Sequence, residues 1–190
     1  LINKYSYKIV CFDLSVKDGK YPAALFDNKM AAEEIMKRVL RRGCKRPLFL
    51  NTAKSDYTIH CRMDGYKETL EKAGITLEEE LVYYDIYDKT QSYDIMCHIL
   101  DQKDIEFDSV ILGTNFCIYG VLRALKEKGE KFVPIAGFED FDGSEIIEGD
   151  FIKAVQPEEK IGEEAFYLLL QYLNGKKPSD VFLKTCGIKG

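Results

Sequence analysis

Short apolar segments alternate with longer amphipathic segments along almost the whole chain. The apolar segments have the length of buried strands and predict strands at residues 7–12, 47–50, 81–84, 109–112, 133–138, 152–155 and 181–183. The amphipathic segments repeat apolar residues every three or four positions and predict helices at residues 29–42, 58–73, 90–102, 118–128 and 157–173. Strands that alternate with helices of this length form βαβ units, so we predict an α/β fold with mainly parallel sheets.

The ends of the predicted helices carry suitable capping residues. Asn28 can cap the first helix with its side chain, and Gly43, Gly74 and Gly129 each follow the end of a helix. Pro157 suits the first position of the last helix, where a backbone N–H has no partner within the helix. This helix follows directly on a strand and can pack on a different sheet. We therefore predict two lobes connected by crossing strands.

The segment VPIAGFEDFDG, residues 133–143, ends an apolar strand in two acids, Glu139 and Asp140. In open α/β sheets, ligands bind outside the carboxyl ends of the strands. The segment therefore has two interpretations, a solvated loop or a strand end that faces a ligand, and the pattern alone leaves both open.

Composition limits the classes of protein that fit. The chain has 190 residues, of which 46% are hydrophobic and 31% charged, and its net charge is −5. These values are typical of one sizeable globular domain or two small lobes. An acidic chain is poorly suited to bind phosphates, which argues against nucleic-acid binding by this chain but not by a segment outside it. No apolar run approaches the roughly 20 residues that span a bilayer, and the N-terminus lacks the pattern of a signal peptide.

The candidate chemistry favours a binding domain over an enzyme. The six cysteines are scattered without a C-x-x-C pair, which is typical of reduced thiols in a cytosolic protein. His60–Cys61 and Cys97–His98 are neighbours whose side chains point to different faces, so we expect no metal site. The chain has no G-x-S-x-G, Walker or G-x-G-x-x-G motif. We expect no cofactor.

Five motifs occur in an order that resembles one protein family. They are FDN at 26–28, CRMDGY at 61–66, GTNFCIYGVLRALKEKG at 113–129, VPIAGFEDFDG at 133–143 and VQPEEKIGEEAFYLLLQYLNG at 155–175. The last four are similar to the family patterns R-x-x-G-Y/F, N-D-x-x-A-x-G-x-x-x-A-L, P-x-x-x-x-x-G-F/Y-D-D and Q-P-x-x-x-x-G-x-x-A-x-x-L-L. Each motif alone is weak. In this order, over nearly the whole chain, they resemble the effector-binding core of LacI/GalR-type transcription regulators.

The resemblance implies a fold and a division of the chain. The fold is that of type I periplasmic-binding proteins, with parallel sheets flanked by helices in two lobes. Residues 1–27 and 156–178 would form the remainder of an incomplete first lobe, and residues 28–155 and 179–190 the second lobe. Family members begin with a helix-turn-helix domain and further βα units. The resemblance therefore identifies the chain as a fragment without the DNA-binding domain, and we expect the isolated fragment to bind effector weakly or not at all.

The resemblance also implies a ligand site in the cleft between the lobes. The matching positions are Asp13, Arg62, Thr114, Asn115, Phe138, Glu139 and Gln156. The guanidinium of Arg62 offers five donors in a fixed fork, which suits hydroxyl, carboxylate or phosphate groups. Asp13 would accept hydrogen bonds from ligand hydroxyls, and Glu139 would be the inward-facing acid. Solvated charges are the alternative interpretation of both Asp13 and Arg62.

Three of these positions depart from the family pattern. Thr114 and Asn115 stand where the family has an Asn-Asp pair, so an amide replaces the acid, and Glu139 is one methylene longer than the usual Asp. Asp140 is interpreted as a structural turn acid. The candidates for apolar walls, besides Phe138, are Tyr57, Ile86, Tyr87 and Phe116, because sugars and purines both pack on rings. These departures leave the effector open among sugars, sugar phosphates and purines.

The function implied by the resemblance is an allosteric sensor in a cytoplasmic repressor. A small effector would shift DNA affinity by binding two lobe arrangements differently. The expected partners are this effector, a second copy of the chain, with Tyr119 and Ile147 in the contact, and operator DNA through the absent domain. No membrane partner is expected. One alternative is an extracytoplasmic sugar-binding protein of an ABC transporter, and another is a catalytic α/β domain.

Overall fold

The computed structural model describes residues 7–14, 20–102, 104–138 and 151–189. The chain divides into two compact units. Unit 1 comprises Leu1–Asp27 and Gln156–Cys186, and unit 2 comprises Asn28–Val155 and Gly187–Gly190. In chain order the elements are β1 Cys11–Phe12, β2 Ala23–Phe26, α1 Asn28–Arg41, β3 Pro47–Leu50, α2 Tyr57–Lys72, β4 Val82–Tyr83, α3 Lys89–Asp101, β5 Ser109–Leu112, α4 Ile118–Lys128, β6 Ile135–Phe138, β7 Phe151–Val155, α5 Glu158–Leu173, β8 Val181–Leu183 and β9 Gly187–Lys189.

The described part of unit 1 contains a three-stranded parallel sheet in the order β1-β2-β8. Helix α5 packs on this sheet. Strand β2 is completely buried. Its sequence pattern did not predict a strand, because two of its four residues are alanines and alanine is depleted in strands. The predicted strand at 7–12 was too long, since only Cys11 and Phe12 pair with β2.

The described part of unit 2 contains a six-stranded sheet in the order β4-β3-β5-β6-β7-β9. All described neighbours run parallel except β9, which pairs antiparallel with β7. The predicted α/β class with mainly parallel sheets is therefore confirmed.

The central strands of unit 2 are buried on both faces. Along β3 and β5, Leu48, Leu50, Val110 and Leu112 belong to one apolar cluster, which also contains residues of α3 and α4. On the other face, the ring of Phe49 lies 5.3 Å from that of Tyr66 in α2, and α2 packs against α1. Because alternate residues of a strand point to opposite faces, the two helix pairs cover opposite sides of the sheet.

Most predicted helix ends agree with the structure to within one or two residues. Asp56 caps α2 by accepting a hydrogen bond from the backbone N–H of Thr58 at 2.9 Å. Gly129 ends α4 with φ of +69°, a left-handed conformation that glycine adopts without steric cost. Pro157 immediately precedes the first residue of α5 instead of being that residue.

One predicted domain boundary was wrong. The resemblance predicted residues 179–190 in the second lobe, but β8 pairs with β2, with Ala24 opposite Val181 and Phe26 opposite Leu183. Backbone hydrogen bonding therefore holds 179–186 in unit 1, and only Gly187–Gly190 belong to unit 2.

Candidate functional site

The carboxyl ends of three adjacent strands of unit 2 provide the candidate site. Asn51 follows β3, residues 113–115 follow β5, and Phe138 is the last residue of β6. The three strands are parallel neighbours in the sheet, so these residues lie along one edge. The backbone N–H of Gly113 donates to the carbonyl oxygen of Leu50 at 2.7 Å, which fixes the segment after β5 against the end of β3.

Arg62 in α2 reaches this edge and is held there from several sides. Its Nε donates to Asn28 Oδ1 at 2.8 Å, and one terminal nitrogen donates to the carbonyl oxygen of Gly113 at 3.0 Å. The guanidinium carbon lies 3.6 Å from the ring centroid of Phe138. Only 5% of Arg62 is exposed. A guanidinium constrained by two hydrogen bonds and a ring presents its donors in a fixed direction, so little side-chain entropy remains to be lost on binding.

Asn28 has a second role that its position in the sequence does not indicate. It was interpreted as a helix cap, and it is the first residue of α1. Its side-chain oxygen also accepts the hydrogen bond from Arg62, although the two residues are 34 positions apart. Asn28 is buried. Its loss would remove the hydrogen-bond acceptor that Nε of the buried Arg62 uses, which is costly for a buried donor.

Tyr66 follows Arg62 by four residues, about one helical turn, and packs between two rings. Its centroid lies 5.3 Å from that of Phe49 and 6.5 Å from that of Phe138. Burial raises the pKa of the Tyr66 hydroxyl well above its usual range, and the nearby charge of Arg62 only partly opposes this effect. The hydroxyl therefore stays protonated, and it has no hydrogen-bond partner among the residues that the structure describes.

Thr114 and Asn115 form the start of the segment that leads from β5 into α4. Thr114 has extended backbone angles, and Asn115–Cys117 form a 3₁₀ turn. Asn115 is half-buried, and its side-chain oxygen is a buried acceptor without a partner within the described part of the chain. Buried polar atoms are normally hydrogen-bonded, so this oxygen marks a place where a donor is expected.

Cys117 is the cysteine nearest to these residues in the chain, and its environment argues against a nucleophile. It is completely buried, and burial raises its pKa to about 11. The thiol form is therefore retained at neutral pH, whereas a nucleophilic cysteine needs its thiolate. Over the described ranges, no three His, Cys, Asp or Glu residues are placed to hold a metal ion.

The other predicted site residues belong to unit 1 or lie outside the described residues. Asp13 follows β1 in unit 1, where it is exposed and has φ of +57°. Gln156 is the first residue of the second segment of unit 1 and is half-buried. Glu139 lies outside the described residues, as do Asp140 and Ile147.

The predicted apolar walls differ in exposure. Ile86 was predicted to line the site, but it is 4% exposed and belongs to the apolar cluster beneath the sheet. Tyr57, Tyr87 and Phe116 are exposed. Phe138 is buried and lies against the guanidinium of Arg62.

Comparison with known proteins identifies the family. A family model described as periplasmic binding proteins and sugar binding domain of LacI family matches residues 2–187. The chain belongs to this family. The regulator RegA of Clostridium saccharobutylicum is 26% identical to this LacI-type domain over 181 residues, which are 93% of the chain and 54% of RegA. The LacI-type domain thus spans about half the length of that relative.

Solved structures confirm the type I periplasmic-binding-protein fold. The transcription regulator CcpA of Lactococcus lactis aligns with a TM-score of 0.86 and 21% identity, covering 100% of the LacI-type domain and 70% of CcpA. A LacI-family regulator of Enterococcus faecium with bound ribose aligns with a TM-score of 0.83 and 19% identity, covering 100% of the domain and 71% of that chain. At these identities the likeness establishes the fold alone. Among the helices of the described part of the chain, none is long and apolar enough to cross a bilayer.

Proposed function

We propose that this LacI-type domain is the effector-sensing part of a DNA-binding transcription regulator, and that its effector is a sugar or a sugar derivative. The family description names sugar binding, RegA is a regulator, and the Enterococcus relative holds ribose. Because the relatives are transcription regulators, a regulator is favoured over a transport receptor or an enzyme. A regulator that acts on DNA works in the cytoplasm, so we propose that location.

The observation that carries the proposal is the fixed guanidinium of Arg62 at the strand ends. A sugar presents neighbouring hydroxyl groups, which accept hydrogen bonds from a guanidinium fork and donate to oxygen acceptors. Asn115 supplies a buried acceptor oxygen, and Thr114 supplies a hydroxyl that can donate and accept. Phe138 acts by supporting the guanidinium from one face.

Other predicted contacts remain part of the proposal. Glu139 would supply a further acceptor directly after Phe138. Asp13 and Gln156 remain predicted ligand contacts from unit 1. For the whole protein we propose a homodimer that binds operator DNA through a helix-turn-helix domain. Tyr119, which is 52% exposed on α4, remains a predicted dimer contact.

The test measures ribose binding to the complete gene product by calorimetry. Arg62→Lys keeps the positive charge but loses the fork, and hydrogen bonds to charged groups contribute about 1.5–3 kcal/mol, so affinity should fall at least about tenfold. Arg41→Lys is the matched control, because Arg41 is exposed at the end of α1. It should leave the affinity within about twofold, since exposed charges contribute little.

Asn115→Ala provides a second variant that does not depend on how Arg62 tolerates substitution. It removes an acceptor that has no partner among described residues, so the free energy of unfolding should not fall while ribose affinity does. Unchanged affinity in both variants would contradict the proposed site. If ribose fails to bind while a purine base or a sugar phosphate binds with the same dependence on Arg62, the site stands and the ligand class is wrong.

A further inference from the structure

A cavity of about 590 Å³ in unit 1 concentrates positive charge in an otherwise acidic chain. Its lining includes Lys8, Lys20, Lys176 and Lys177, together with Tyr172 and Asp180. It lies where β2 and β8 begin and α5 has ended, because Pro22 precedes β2, Asp180 precedes β8 and Gly175 follows α5. The residues that line this cavity all belong to unit 1, whereas Arg62 belongs to unit 2.

Positive charge exceeds negative charge in the described lining even when Lys20, whose ammonium lies 5.4 Å from the ring centroid of Tyr21, is set aside. Lys8, Lys176 and Lys177 then face one carboxylate, whereas the whole chain has a net charge of −5. The one carboxylate already has a structural partner, since Asp180 Oδ1 accepts a hydrogen bond from the backbone N–H of Ala23 at 2.9 Å. Like charges held near one another repel, and a bound anion would relieve that repulsion.

The end of α5 explains only part of this cluster. The helix dipole attracts cations to a C-terminus, and Lys176 and Lys177 follow that end, where the backbone N–H of Lys176 donates to the carbonyl oxygen of Gln171. Lys8 and Lys20 come from another segment of the chain. Lys8 Nζ lies 4.3 Å from the ring centroid of Tyr172, so the aromatic ring directs this ammonium group into the lining.

We propose that this cavity binds a small molecule that carries phosphate groups. Ammonium groups act as point charges toward phosphate, and a volume of about 590 Å³ is within the range of small-molecule sites. The charged cavity would hold the phosphates, and the ring of Tyr172 would contact the less polar part of the molecule. The proposal concerns unit 1 alone and does not depend on the sugar site of unit 2.

The experiment titrates the complete gene product with inorganic pyrophosphate and follows the backbone amide resonances by NMR. At an ionic strength of about 0.01 M, where the Debye length is about 30 Å, binding should shift the resonances of residues 175–177 and of Lys8. At about 1 M salt, where the Debye length is about 3 Å, the shifts should disappear, because the attraction is electrostatic and accessible to solvent.

Three double variants, each removing two positive charges, identify the cause of any binding. Lys176→Gln with Lys177→Gln, and separately Lys8→Gln with Lys20→Gln, should each weaken the affinity roughly tenfold, since each ammonium group contributes a modest electrostatic energy. Lys67→Gln with Lys126→Gln is the control, because both lysines are exposed in unit 2. It should change the affinity less than about twofold.

Several outcomes would overturn the proposal. Equal losses in all three variants would mean that pyrophosphate responds only to net charge. Full affinity without Lys8 and Lys20 would mean that the end of α5 acts alone. Tighter binding of a short duplex DNA than of pyrophosphate, with dependence on the same four lysines, would assign the surface to nucleic acid instead of a small molecule. Absence of pyrophosphate binding at low salt would remove the site altogether.

Discussion

At the scale of single residues, Tyr66 has a buried hydroxyl whose desolvation no hydrogen bond from the described residues offsets. The ring contributes to the packing between Phe49 and Phe138, which phenylalanine would also provide. The hydroxyl has no hydrogen-bond partner among the described residues. Burying an unsatisfied polar group costs about 1–3 kcal/mol in proteins. The side chain therefore stabilises the unit through its ring and destabilises it through its oxygen.

We predict that Tyr66→Phe increases the free energy of unfolding by about 1 kcal/mol, because it removes the desolvation cost and keeps the ring. Urea denaturation measures this difference. Thr69→Val is the matched control, since its buried hydroxyl donates to the carbonyl oxygen of Gly65 at 2.8 Å, and its loss should lower the free energy of unfolding by about 1 kcal/mol. A lower free energy of unfolding for Tyr66→Phe would show that the Tyr66 hydroxyl stabilises the native protein.

The candidate site was only partly predictable at this scale. Arg62 and Asn115 were predicted as ligand contacts because they match motif positions. The hydrogen bond between Arg62 and Asn28 could not be predicted from spacing, because it depends on how closely α1 and α2 pack. The unpartnered oxygens of Tyr66 and Asn115 were also not predictable, because burial of one atom is a property of the packed structure.

At the scale of elements, two glycines allow helices to pack closely in pairs. A Cβ at Gly65 of α2 would overlap the carbonyl oxygen of Lys29 in α1. A Cβ at Gly120 of α4 would overlap Ser92 Oγ and the carbonyl oxygen of Lys89, and would lie 2.6 Å from the backbone nitrogen of Tyr93 in α3. The contacts at Gly120 include backbone atoms, which cannot move aside as a flexible side chain could.

We predict that Gly120→Ala lowers the free energy of unfolding by about 1–3 kcal/mol, because the added methyl group forces α3 and α4 apart. Gly162→Ala is the matched control within a helix, because a Cβ there has no atom within 4 Å. Alanine should stabilise α5 at that position by about 0.5–1 kcal/mol through its higher helix propensity. Thermal denaturation of both variants measures whether stability falls for Gly120→Ala and rises for Gly162→Ala. A lower stability in both variants would contradict the role of close packing at Gly120.

The elements were predictable where their periodicity was long. The helices repeat over three or more turns, and all five were predicted close to their observed bounds. Strands of two to four residues carry little pattern, so β2 and β9 were missed and β1 was predicted too long. The pairing of β8 with β2 could not be predicted from the apolar segment at 181–183, since the same three residues could extend either sheet.

At the scale of the whole molecule, the two units differ in how much apolar surface they bury. The described core lies mostly in unit 2, where β3, β5 and β6 are completely buried. Unit 1 leaves several large apolar side chains exposed, among them Phe166 at 59% and Leu173 at 61% on α5. Regions with fewer buried apolar contacts open at lower free energy than the core of a domain.

We predict that unit 1 exchanges its backbone hydrogens before unit 2. Amides of β2 should exchange at least about tenfold faster than amides of β5, because opening unit 1 exposes less apolar surface. Hydrogen exchange followed by mass spectrometry compares the peptides that cover these two strands, and both are completely buried, which makes them a matched pair. Equal rates would mean that the two units open in one cooperative step.

The antiparallel pairing of β9 has a consequence for self-association. The large sheet ends at both sides in very short strands, the two residues of β4 and the three of β9. Short edges offer few open backbone groups to another chain, whereas a longer apolar edge such as FIKAV of β7 would be a template for intermolecular strand addition. By pairing with β7, residues 187–189 cover the edge of that strand. The backbone groups on that edge are then not open to strand addition by another chain.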